Sequence, residues 1–358
     1  MLSTLLYPWD VAANGVRATI GELAELGVDS MLLSATYHPI AATSMRPTGP
    51  RPFHSAAGEV LFDIDPTCFA ESGVTPLVRQ RHDFWSTIGD TARAAGLGFD
   101  AWVVTVFQPW LARGYPDTAR TYPSGDLNLD AVCPLAPRYQ VYLRELVGDI
   151  VTRSRPDRVL LENLLFTPYD YGWIRPRTLV DVSAIAARLL GLCFCAGCRA
   201  AGTAAGLDID AFRQEVCRRI DAEFGLASPP AAGFDQDLQR YLDSRSIRLG
   251  AYVEELARLT RLVLWAAEGY GMTALAPALA RAADSLLVFD DTNLPVAKPS
   301  TRLLYVVSSF GADEQRLTAQ AEAATTAGHT EIALYNWGLV PRANFARSVE
   351  ICTAAQAG

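Results

Sequence analysis

The sequence predicts an α/β protein, a (β/α)8 TIM barrel with long insertions after strands two and four. Three observations predict it: short aliphatic runs alternate with amphipathic segments, the runs number eight, and 358 residues suffice for one large barrel. Strands that alternate with helices form parallel sheets, and eight such units favour a closed barrel over an open sheet. We expect a single barrel domain over residues 1–358, with a helical, cysteine-containing insertion at about 167–271.

The candidate strands are short segments rich in leucine and β-branched residues, which favour extended backbone. The fifth is rich in small residues and contains proline, which weakens its strand propensity. In chain order they are TLLYPW (4–9), SMLLSATY (30–37), GFDAWVVTVF (98–107), RVLLENLLF (158–166), MTALAPA (272–278), DSLLVFDD (284–291), RLLYVVSSF (302–310) and EIALYNWG (331–338).

Amphipathic helices are expected between these strands, each ending near glycine or a proline-containing turn. They cover residues 16–27, 82–96, 138–154 and 312–328. Two connections, 38–81 and 167–271, are far longer than a barrel needs. The second holds a cysteine cluster and further helical stretches at 211–224 and 249–269. Long insertions concentrate on the face of a barrel that carries chemistry.

The composition excludes some partners. A net charge of −8 gives no electrostatic reason to bind nucleic acid or an anionic membrane, and no run approaches 18 apolar residues. The N-terminal segment has no basic stretch, and Pro8, Trp9 and Asp10 interrupt its apolar run, so we expect no signal peptide and a cytoplasmic protein. The sequence is compatible with a homo-oligomer and does not determine the oligomeric state.

Polar and aromatic residues follow the predicted strands, where a barrel carries its catalytic groups. Indole rings stack on the C–H face of a pyranose while Asp, Asn and His bond its hydroxyls, so the set fits a saccharide. The alternative is that the aromatic rings cap the barrel core. The strand ends also carry Trp110, Tyr335, Ser308 and Ser309, and the predicted substrate-binding residues are Trp9, Asp10, Tyr37, His38, Trp102, Asn163, Asn336 and Trp337.

Glu162 is the main catalytic candidate. It lies between apolar residues in VLLENLLF, and strand alternation turns it inward with Leu160 and Leu164. Burial of a carboxyl group is unfavourable unless the group is paired or used, and it raises the pKa towards the range of a general acid. The alternative is a structural ion pair with an arginine.

Glycoside hydrolysis requires a second carboxylate. Asp290 and Asp291 at the end of strand six are the candidates, and because adjacent strand residues face opposite ways we expect only one of them to enter the site. Asp10 is the reserve candidate. Alternatively, the aspartate of strand six caps the helix that follows it.

Other reaction classes lack their motifs. The sequence contains no G-x-S-x-G elbow, no P-loop and no G-x-G-x-x-G that opens a helix, so we expect no organic cofactor. The four histidines are scattered without metal-ligand spacing. Lys298 is the only lysine and lies in a loop, which disfavours a Schiff-base mechanism.

Cys193, Cys195 and Cys198 form a C-x-C-x-x-C motif. A redox dithiol needs only C-x-x-C, in a thioredoxin-like fold that this sequence does not predict. A structural zinc ion takes four tetrahedral thiolates, and Cys133 is the natural fourth ligand. The alternative is a set of structural thiols without a metal.

These residues resemble the family 42 β-galactosidases, in which a Cys-Pro turn precedes strand four, an acid/base glutamate ends that strand, and C-x-C-x-x-C follows. The order here is similar: Cys133-Pro134, Glu162, then the three cysteines. The likeness covers strands one to four and the cysteine insertion, roughly 190 residues. It also extends to uncharacterised bacterial glycosyl-hydrolase-like barrels with Tyr-His after strand two. The resemblance implies a structural zinc held by the four cysteines and an acid/base role for Glu162.

The sequence departs from that family at three points, one of which is a longer spacing from Glu162 to Cys193. Leu161 precedes Glu162 where the family has Asn, and strand seven ends without the family's nucleophilic glutamate. A strand-four carboxylate with a strand-six aspartate instead resembles several α-glycosidase families, where the first is the nucleophile. We therefore predict a glycoside hydrolase that uses Glu162 and an aspartate of strand six, with a saccharide-binding barrel or a sugar isomerase or lyase as alternatives.

Overall fold

The centre of the molecule is a curled, parallel β-sheet. The computed structural model describes residues 1–47, 49–55, 58–78, 83–170, 177–227, 233–266, 283–289, 302–308 and 314–357. Its strands, in chain order, are β1 (Leu2–Leu6), β2 (Ser30–Tyr37), β3 (Ile40–Ser44), β4 (Arg51–Ser55), β5 (Glu59–Val60), β6 (Gly98–Val104), β7 (Ala119–Thr121), β8 (Leu127–Val132), β9 (Arg158–Glu162), β10 (Leu262–Ala266), β11 (Ser285–Phe289), β12 (Arg302–Ser308) and β13 (Glu331–Tyr335).

Eight of these strands pair in parallel, in the order β1, β13, β12, β11, β10, β9, β6, β2. Strand β1 pairs with β13 on one side, where Leu2 lies opposite Ile332, and with β2 on the other, where Ser3 lies opposite Ser30. The parallel pairings therefore run from strand to strand in a ring. The remaining strands are peripheral: β5 pairs antiparallel with β2, and β3–β4 and β7–β8 form two antiparallel ladders.

Helices lie between the strands and in the long insertion. They are α1 (Pro8–Asn14), α2 (Val16–Glu25), α3 (Trp85–Ala94), α4 (Pro109–Gly114), α5 (Pro137–Ser154), α6 (Ala184–Leu190), α7 (Ala196–Ala204), α8 (Ile209–Glu223), α9 (Phe234–Leu256), α10 (Glu314–Thr326) and α11 (Arg342–Ala357), with short 3-10 turns at Pro66–Phe69, Pro116–Thr118 and Trp337–Leu339. None of the described helices is long and apolar enough to span a membrane.

Most of the predicted strands are confirmed within a few residues at their described ends, but two predictions are wrong. The first strand ends at Leu6, because Pro8 opens α1 and its fixed φ suits the first helical position. The fifth strand is β10, within the segment 249–269 that the sequence predicts to be helical. A short, wholly apolar run such as LVLWA has no period that separates a buried strand from a buried helix. The segment 272–278 lies outside the described residues.

The predicted helices are confirmed as α2, α3, α5 and α10, each within two or three residues at its described ends. The long insertion contains α6 to α9. It ends earlier than predicted because residues 262–266 form strand β10. The two small ladders were not predicted. Their strands are only three to six residues long, too short for a period of two to stand out in the sequence.

Strand alternation divides the core into two layers. Val159 and Leu161 of β9 face the helices, whereas Leu160 between them faces the interior of the curled sheet with Trp102. Leu164, predicted to face inward as well, lies in the outer layer because β9 ends at Glu162. The interior layer consists of Leu5, Tyr7, Trp9, Leu32, Tyr37, Leu61, Trp102, Val104, Phe107, Leu160, Val263, Trp265, Leu287 and Ala333.

At the amino ends of the strands the interior holds a buried ion cluster. The Arg158 guanidinium donates to the Asp100 carboxylate, with Nε at 3.0 Å from Oδ2, and to both Glu331 carboxylate oxygens at 2.9 Å. All three side chains are buried. This cluster lies at the end of the strands opposite Glu162, and Arg158 pairs with carboxylates other than Glu162.

Candidate functional site

Glu162 is the last residue of β9 and lies at the carboxyl end of the parallel sheet. Its side chain is only 7% exposed, and its carboxylate accepts two side-chain hydrogen bonds. Trp102 Nε1 donates to Oε2 at 2.7 Å, and Asn163 Nδ2 donates to Oε1 at 3.2 Å. Among the described residues no arginine or lysine forms an ion pair with it, so the structural ion pair considered above is not found.

Burial raises the pKa of Glu162 to about 7, and the Trp102 hydrogen bond opposes this shift because it favours the charged form. The two donors are neutral, so they orient the carboxyl group without holding it ionised. A carboxyl group with a pKa near neutrality exchanges its proton readily at physiological pH. This is the property that a general acid or base requires.

Three tyrosine hydroxyls meet beside Glu162 in a group that we call the tyrosine cluster: Tyr7, Tyr37 and Tyr335. Tyr7 Oη lies 2.8 Å from Tyr37 Oη and 2.7 Å from Tyr335 Oη, and the remaining pair is 3.2 Å apart. Burial raises the pKa of all three hydroxyls, and Glu162 interacts electrostatically with each of them. The hydroxyls therefore stay protonated and act as hydrogen-bonding groups.

Aromatic rings surround this end of the interior. Trp9 stacks on Tyr7 with centroids 4.5 Å apart and on Phe53, from β4, at 4.1 Å. The small β3–β4 ladder thus adds an aromatic ring, that of Phe53, to those that the main sheet contributes. Trp102 stacks on Trp265 of β10 at 6.5 Å.

His38 follows β2 at the edge of the same cluster, 4.2 Å from the Tyr37 ring and 5.4 Å from that of Phe107. Its Nδ1 lies 2.6 Å from the carbonyl oxygen of Pro39, so Nδ1 is the donor and Nε2 is left as an acceptor in the neutral ring. Burial lowers the pKa of His38 to about 4, so the ring is neutral at physiological pH.

Of the predicted substrate-binding residues, the structure brings Trp9, Tyr37, His38, Trp102 and Asn163 together around Glu162. It places the other three elsewhere. Trp337 is in the outer layer, where its Nε1 donates to Glu22 Oε1 at 3.3 Å and Arg46 lies over its ring. Asn336 is buried and accepts a hydrogen bond from Gly338 N at 3.0 Å. The side chains of Asn336 and Trp337 do not alternate in direction as strand residues would, because β13 ends at Tyr335 and a 3-10 turn follows.

Asp10, the reserve catalytic residue, is buried in α1 and accepts a hydrogen bond from Ser44 Oγ. Burial raises its pKa to about 6, and the Ser44 hydrogen bond opposes the shift. A Cβ at Gly338 would lie 1.9 Å from Asp10 Oδ2, so the carboxylate packs directly against that backbone. Asp10 thus joins α1 to the turn after β13. The predicted second carboxylates, Asp290 and Asp291, lie outside the described residues.

Sequence reasoning did not single out Tyr7, Phe53, Phe107 or Trp265 as site residues. Tyr7 and Trp265 each lie at or next to the carboxyl end of a strand, a position that signals a site residue once the strand bounds are known. Trp265 was not recognised as a strand-end residue because its segment was predicted to be helical. Trp110, noted beyond strand three, instead donates to Gln108 Oε1 at 2.8 Å and packs on Tyr142 in the outer layer.

The four cysteines of the predicted metal site lie together. Their Sγ atoms are all within 4.8 Å of one another and buried, and those of Cys133 and Cys198 are 3.5 Å apart. None of the seven cysteines, all of which lie in the described residues, forms a disulfide. Cys133 precedes α5, and the other three cysteines surround the start of α7, so the group joins the insertion to the segment before β9. We call these residues the four-cysteine cluster.

The cluster fits a tetrahedral metal ion. Zinc–sulfur bonds of 2.3 Å at tetrahedral angles set sulfur atoms about 3.8 Å apart, within the separations found here. The backbone N–H groups of Thr121 and Cys195 both point at Cys193 Sγ at 3.4 Å, as donors to a metal-bound thiolate do. The sulfur geometry therefore suits a divalent ion such as zinc.

No family model matches this chain, and no curated protein matches it in sequence. Solved structures do match it in fold. A β-galactosidase from the psychrophilic Marinomonas ef1 superposes with a TM-score of 0.57 at 11% identity, over 99% of this chain and 59% of that one. The chain therefore spans less than two thirds of the length of that β-galactosidase.

Two matches cover both partners almost fully. The catalytic domain of a β-amylase from Paenibacillus polymyxa gives a TM-score of 0.57 at 13% identity, over 99% of this chain and 98% of that one. The PgaB (BpsB) glycoside hydrolase domain from Bordetella bronchiseptica gives 0.57 at 14% identity, over 97% and 98%. At such identities the likeness is one of fold: this chain has the α/β fold that these glycoside hydrolases share, without a demonstrated place in family 42.

Proposed function

We propose that this protein is a (β/α)8-barrel glycoside hydrolase in which Glu162 is the general acid. The observation that carries the proposal is the buried carboxyl group of Glu162, with a pKa raised to about 7, at the carboxyl end of the parallel sheet. The aromatic rings around it suit a saccharide, since they offer stacking faces beside hydroxyl groups. The fold shared with glycoside hydrolases supports the same assignment.

In this mechanism Glu162 gives its proton to the glycosidic oxygen as the bond from that oxygen to the anomeric carbon breaks. The bonding electron pair leaves with the oxygen, and Glu162 becomes a carboxylate. Trp102 Nε1 and Asn163 Nδ2 then stabilise the new charge from the positions that they already hold. Asp290 or Asp291 stays the predicted second carboxylate, which either activates water or forms a glycosyl intermediate.

The test is hydrolysis of two aryl glycosides of each common sugar, one with a 4-nitrophenolate and one with a phenolate leaving group. Loss of a general acid costs roughly 10²- to 10⁴-fold in rate, and it costs most where the leaving group needs a proton. We therefore expect Glu162→Gln to lose far more activity on the phenyl glycoside. The exposed Glu25→Gln serves as the matched control.

Equal, near-complete loss on both substrates would instead make Glu162 the nucleophile. Activity on both substrates that survives Glu162→Gln would refute its catalytic role.

A saccharide-binding barrel without hydrolysis is the second candidate. It is favoured by the aromatic rings of Trp9, Phe53 and Trp102 near Glu162, because such rings can stack on a sugar without a second carboxylate. On this reading sugars would change the fluorescence of Trp102 and Trp265 without turnover. Turnover of any glycoside by the wild type excludes it.

We also propose that the four-cysteine cluster holds a structural zinc ion through Cys133, Cys193, Cys195 and Cys198. The ion's role there would be to fasten the insertion to the segment before β9 as a closed tetrathiolate site. We further propose that residues 1–358 form one domain, acting on a saccharide in the cytoplasm without an organic cofactor. Metal analysis should find about one zinc ion per chain, lost in Cys195→Ser.

A further inference from the structure

Two arginines are buried next to the four-cysteine cluster. Arg120, in β7, and Arg245, in α9, are each 2% exposed. Both interact electrostatically with Cys193 and Cys133, and Arg245 also interacts with Cys198. Within the described part of the chain neither guanidinium forms an ion pair with a carboxylate, and the Nε atom of each is buried without a hydrogen-bond partner.

Unpaired buried charges of this kind are strongly unfavourable. Four neutral thiols would leave both guanidinium groups without a negatively charged partner. A divalent ion with four thiolates carries a net charge of about −2, because metal coordination deprotonates each thiol. Two guanidinium groups would bring such an assembly to neutrality, so neither arginine would need a carboxylate partner from the described residues.

The same arginines contact the segment that follows Glu162. Arg120 Nη1 donates to the Thr167 carbonyl oxygen and to Thr167 Oγ1, both at 3.0 Å, and to the Pro168 carbonyl oxygen at 2.7 Å. The guanidinium carbon of Arg245 lies 3.8 Å from the centroid of the Phe166 ring. Segment 166–168, which begins four residues after Glu162, is thus held by both cations.

Backbone contacts connect the arginines to the cluster as well. Thr121, next to Arg120, donates its N–H to Cys193 Sγ at 3.4 Å, and its carbonyl oxygen accepts from Phe194 N at 2.8 Å. One turn before Arg245 in α9, Tyr241 donates its hydroxyl to the Cys193 carbonyl oxygen. Each arginine therefore lies in an element, β7 or α9, that also forms a hydrogen bond with Cys193.

We infer that Arg120 and Arg245 are the counter-charges of a divalent tetrathiolate site, and that through them the site positions segment 166–168 behind Glu162. This inference rests on the proposed zinc site and not on hydrolysis. Both arginines are positioning residues, since neither contacts Glu162 nor donates a hydrogen bond to a sulfur atom.

The first test measures Zn²⁺ affinity of the full-length chain by competition with a chromophoric chelator. Arg245→Met and Arg120→Met remove one charge each and should weaken binding roughly 10- to 100-fold, the usual effect of losing a partner next to the ligands. Arg245→Lys keeps the charge and should stay close to the wild type. Arg199→Met is the matched control, because Arg199 adjoins Cys198 but is already paired with Asp210 at 2.9 Å.

Equal affinity in both Met variants and the control would overturn the inference, and so would equal losses in Arg245→Lys and Arg245→Met. A wild type that binds no divalent ion would overturn it together with the zinc proposal, while hydrolysis would still be judged by turnover.

The second test needs no variant and no substrate. Amide hydrogen exchange is compared between zinc-loaded wild type and the same protein after chelation. We expect amides of residues 164–167 and of β7 to lose protection when the ion leaves, while α10 and α11, remote in sequence, keep theirs. Unchanged protection of residues 164–167 in the zinc-free protein would show that the cluster does not position this segment.

Discussion

At the scale of single residues, Glu162 and Asp100 show how partners decide what burial does to a carboxyl group. Burial raises the pKa of both, to about 7 for Glu162 and about 6 for Asp100. The Arg158 guanidinium beside Asp100 counteracts the shift, whereas Glu162 has the neutral donors Trp102 and Asn163. Asp100 therefore belongs to a structural ion cluster, and Glu162 is left as the group suited to proton transfer.

The raised pKa of Glu162 predicts a pH-dependent stability. The folded state favours the protonated carboxyl, so this contribution is complete below the unfolded value of about 4.5 and disappears as the pH rises through about 7. Glutamine resembles the protonated form and does not titrate. The free energy of unfolding of Glu162→Gln relative to wild type should rise by roughly 1 to 3 kcal/mol between pH 5 and pH 8 in urea titrations. A pH-independent difference would contradict the assigned shift.

Trp102→Phe tests the hydrogen bond to Glu162 while it keeps an aromatic ring in the interior. The indole N–H favours the ionised carboxylate, so its loss should raise the pKa of Glu162 further. The alkaline limb of the pH profile of kcat/KM, set by deprotonation of the acid, should then move to higher pH. Trp85→Phe is the control, since its indole donates to the Leu61 carbonyl oxygen at 3.0 Å in the outer layer. An unmoved limb would exclude Trp102 as a determinant.

At the scale of elements, the approach of α7 to the turn after Cys133 assembles the four-cysteine cluster. Gly197 lies between two of the cysteines, and a Cβ there would be 1.7 Å from the Leu135 carbonyl oxygen. The C-x-C-x-x-C spacing predicted a metal site, but only the packed helix shows why position 197 of the motif is glycine.

Gly197→Ala should therefore push α7 away from Leu135 and separate Cys195 and Cys198 from Cys133. We expect metal content to fall well below one ion per chain and stability to fall by about 2 kcal/mol or more, as overpacking does. Gly148→Ala, in α5 with nothing within 4 Å of the added Cβ, is the control and should be neutral or stabilising by about 0.5 to 1 kcal/mol. Full metal content in Gly197→Ala would show that this contact is not needed.

Elements also show where sequence patterns lose information. Amphipathic helices such as α2 and α5 were predicted because one face packs on the sheet and the other meets water. Strand β10 was missed because Leu262, Val263 and Leu264 are all buried, so the sequence has no polar alternation to show. A strand covered on both faces looks like part of a buried helix until its neighbours are known.

At the scale of the whole molecule, the cluster of Arg158, Asp100 and Glu331 connects three strands across the interior. Strands β6 and β9 are neighbours, but β13 lies three strands beyond β10 in the pairing order. The cluster therefore joins distant parts of the sheet at the end remote from Glu162.

Arg158→Met should destabilise the fold by about 3 to 5 kcal/mol, because it leaves two buried carboxylates without a cation. The alkaline limb of activity should stay in place, since Glu162 is not a member of the cluster. Arg347→Met, whose exposed side chain pairs with Glu314 and Glu350, should change stability by less than about 1 kcal/mol. Denaturant unfolding of both variants checks the prediction, and equal effects would contradict it.

The sequence by itself determined the α/β class, most strand and helix positions, the inward orientation of Glu162 and the four cysteines. All of these depend on local period or spacing, which a linear chain displays. Only the tertiary structure decided which strand ends converge: it brought Tyr7, Trp265 and Phe53 to the site and turned Trp337 and Asp10 away from it. It also placed Arg120 and Arg245 beside the cysteines, because contacts between residues far apart in sequence leave no periodic signal in the chain.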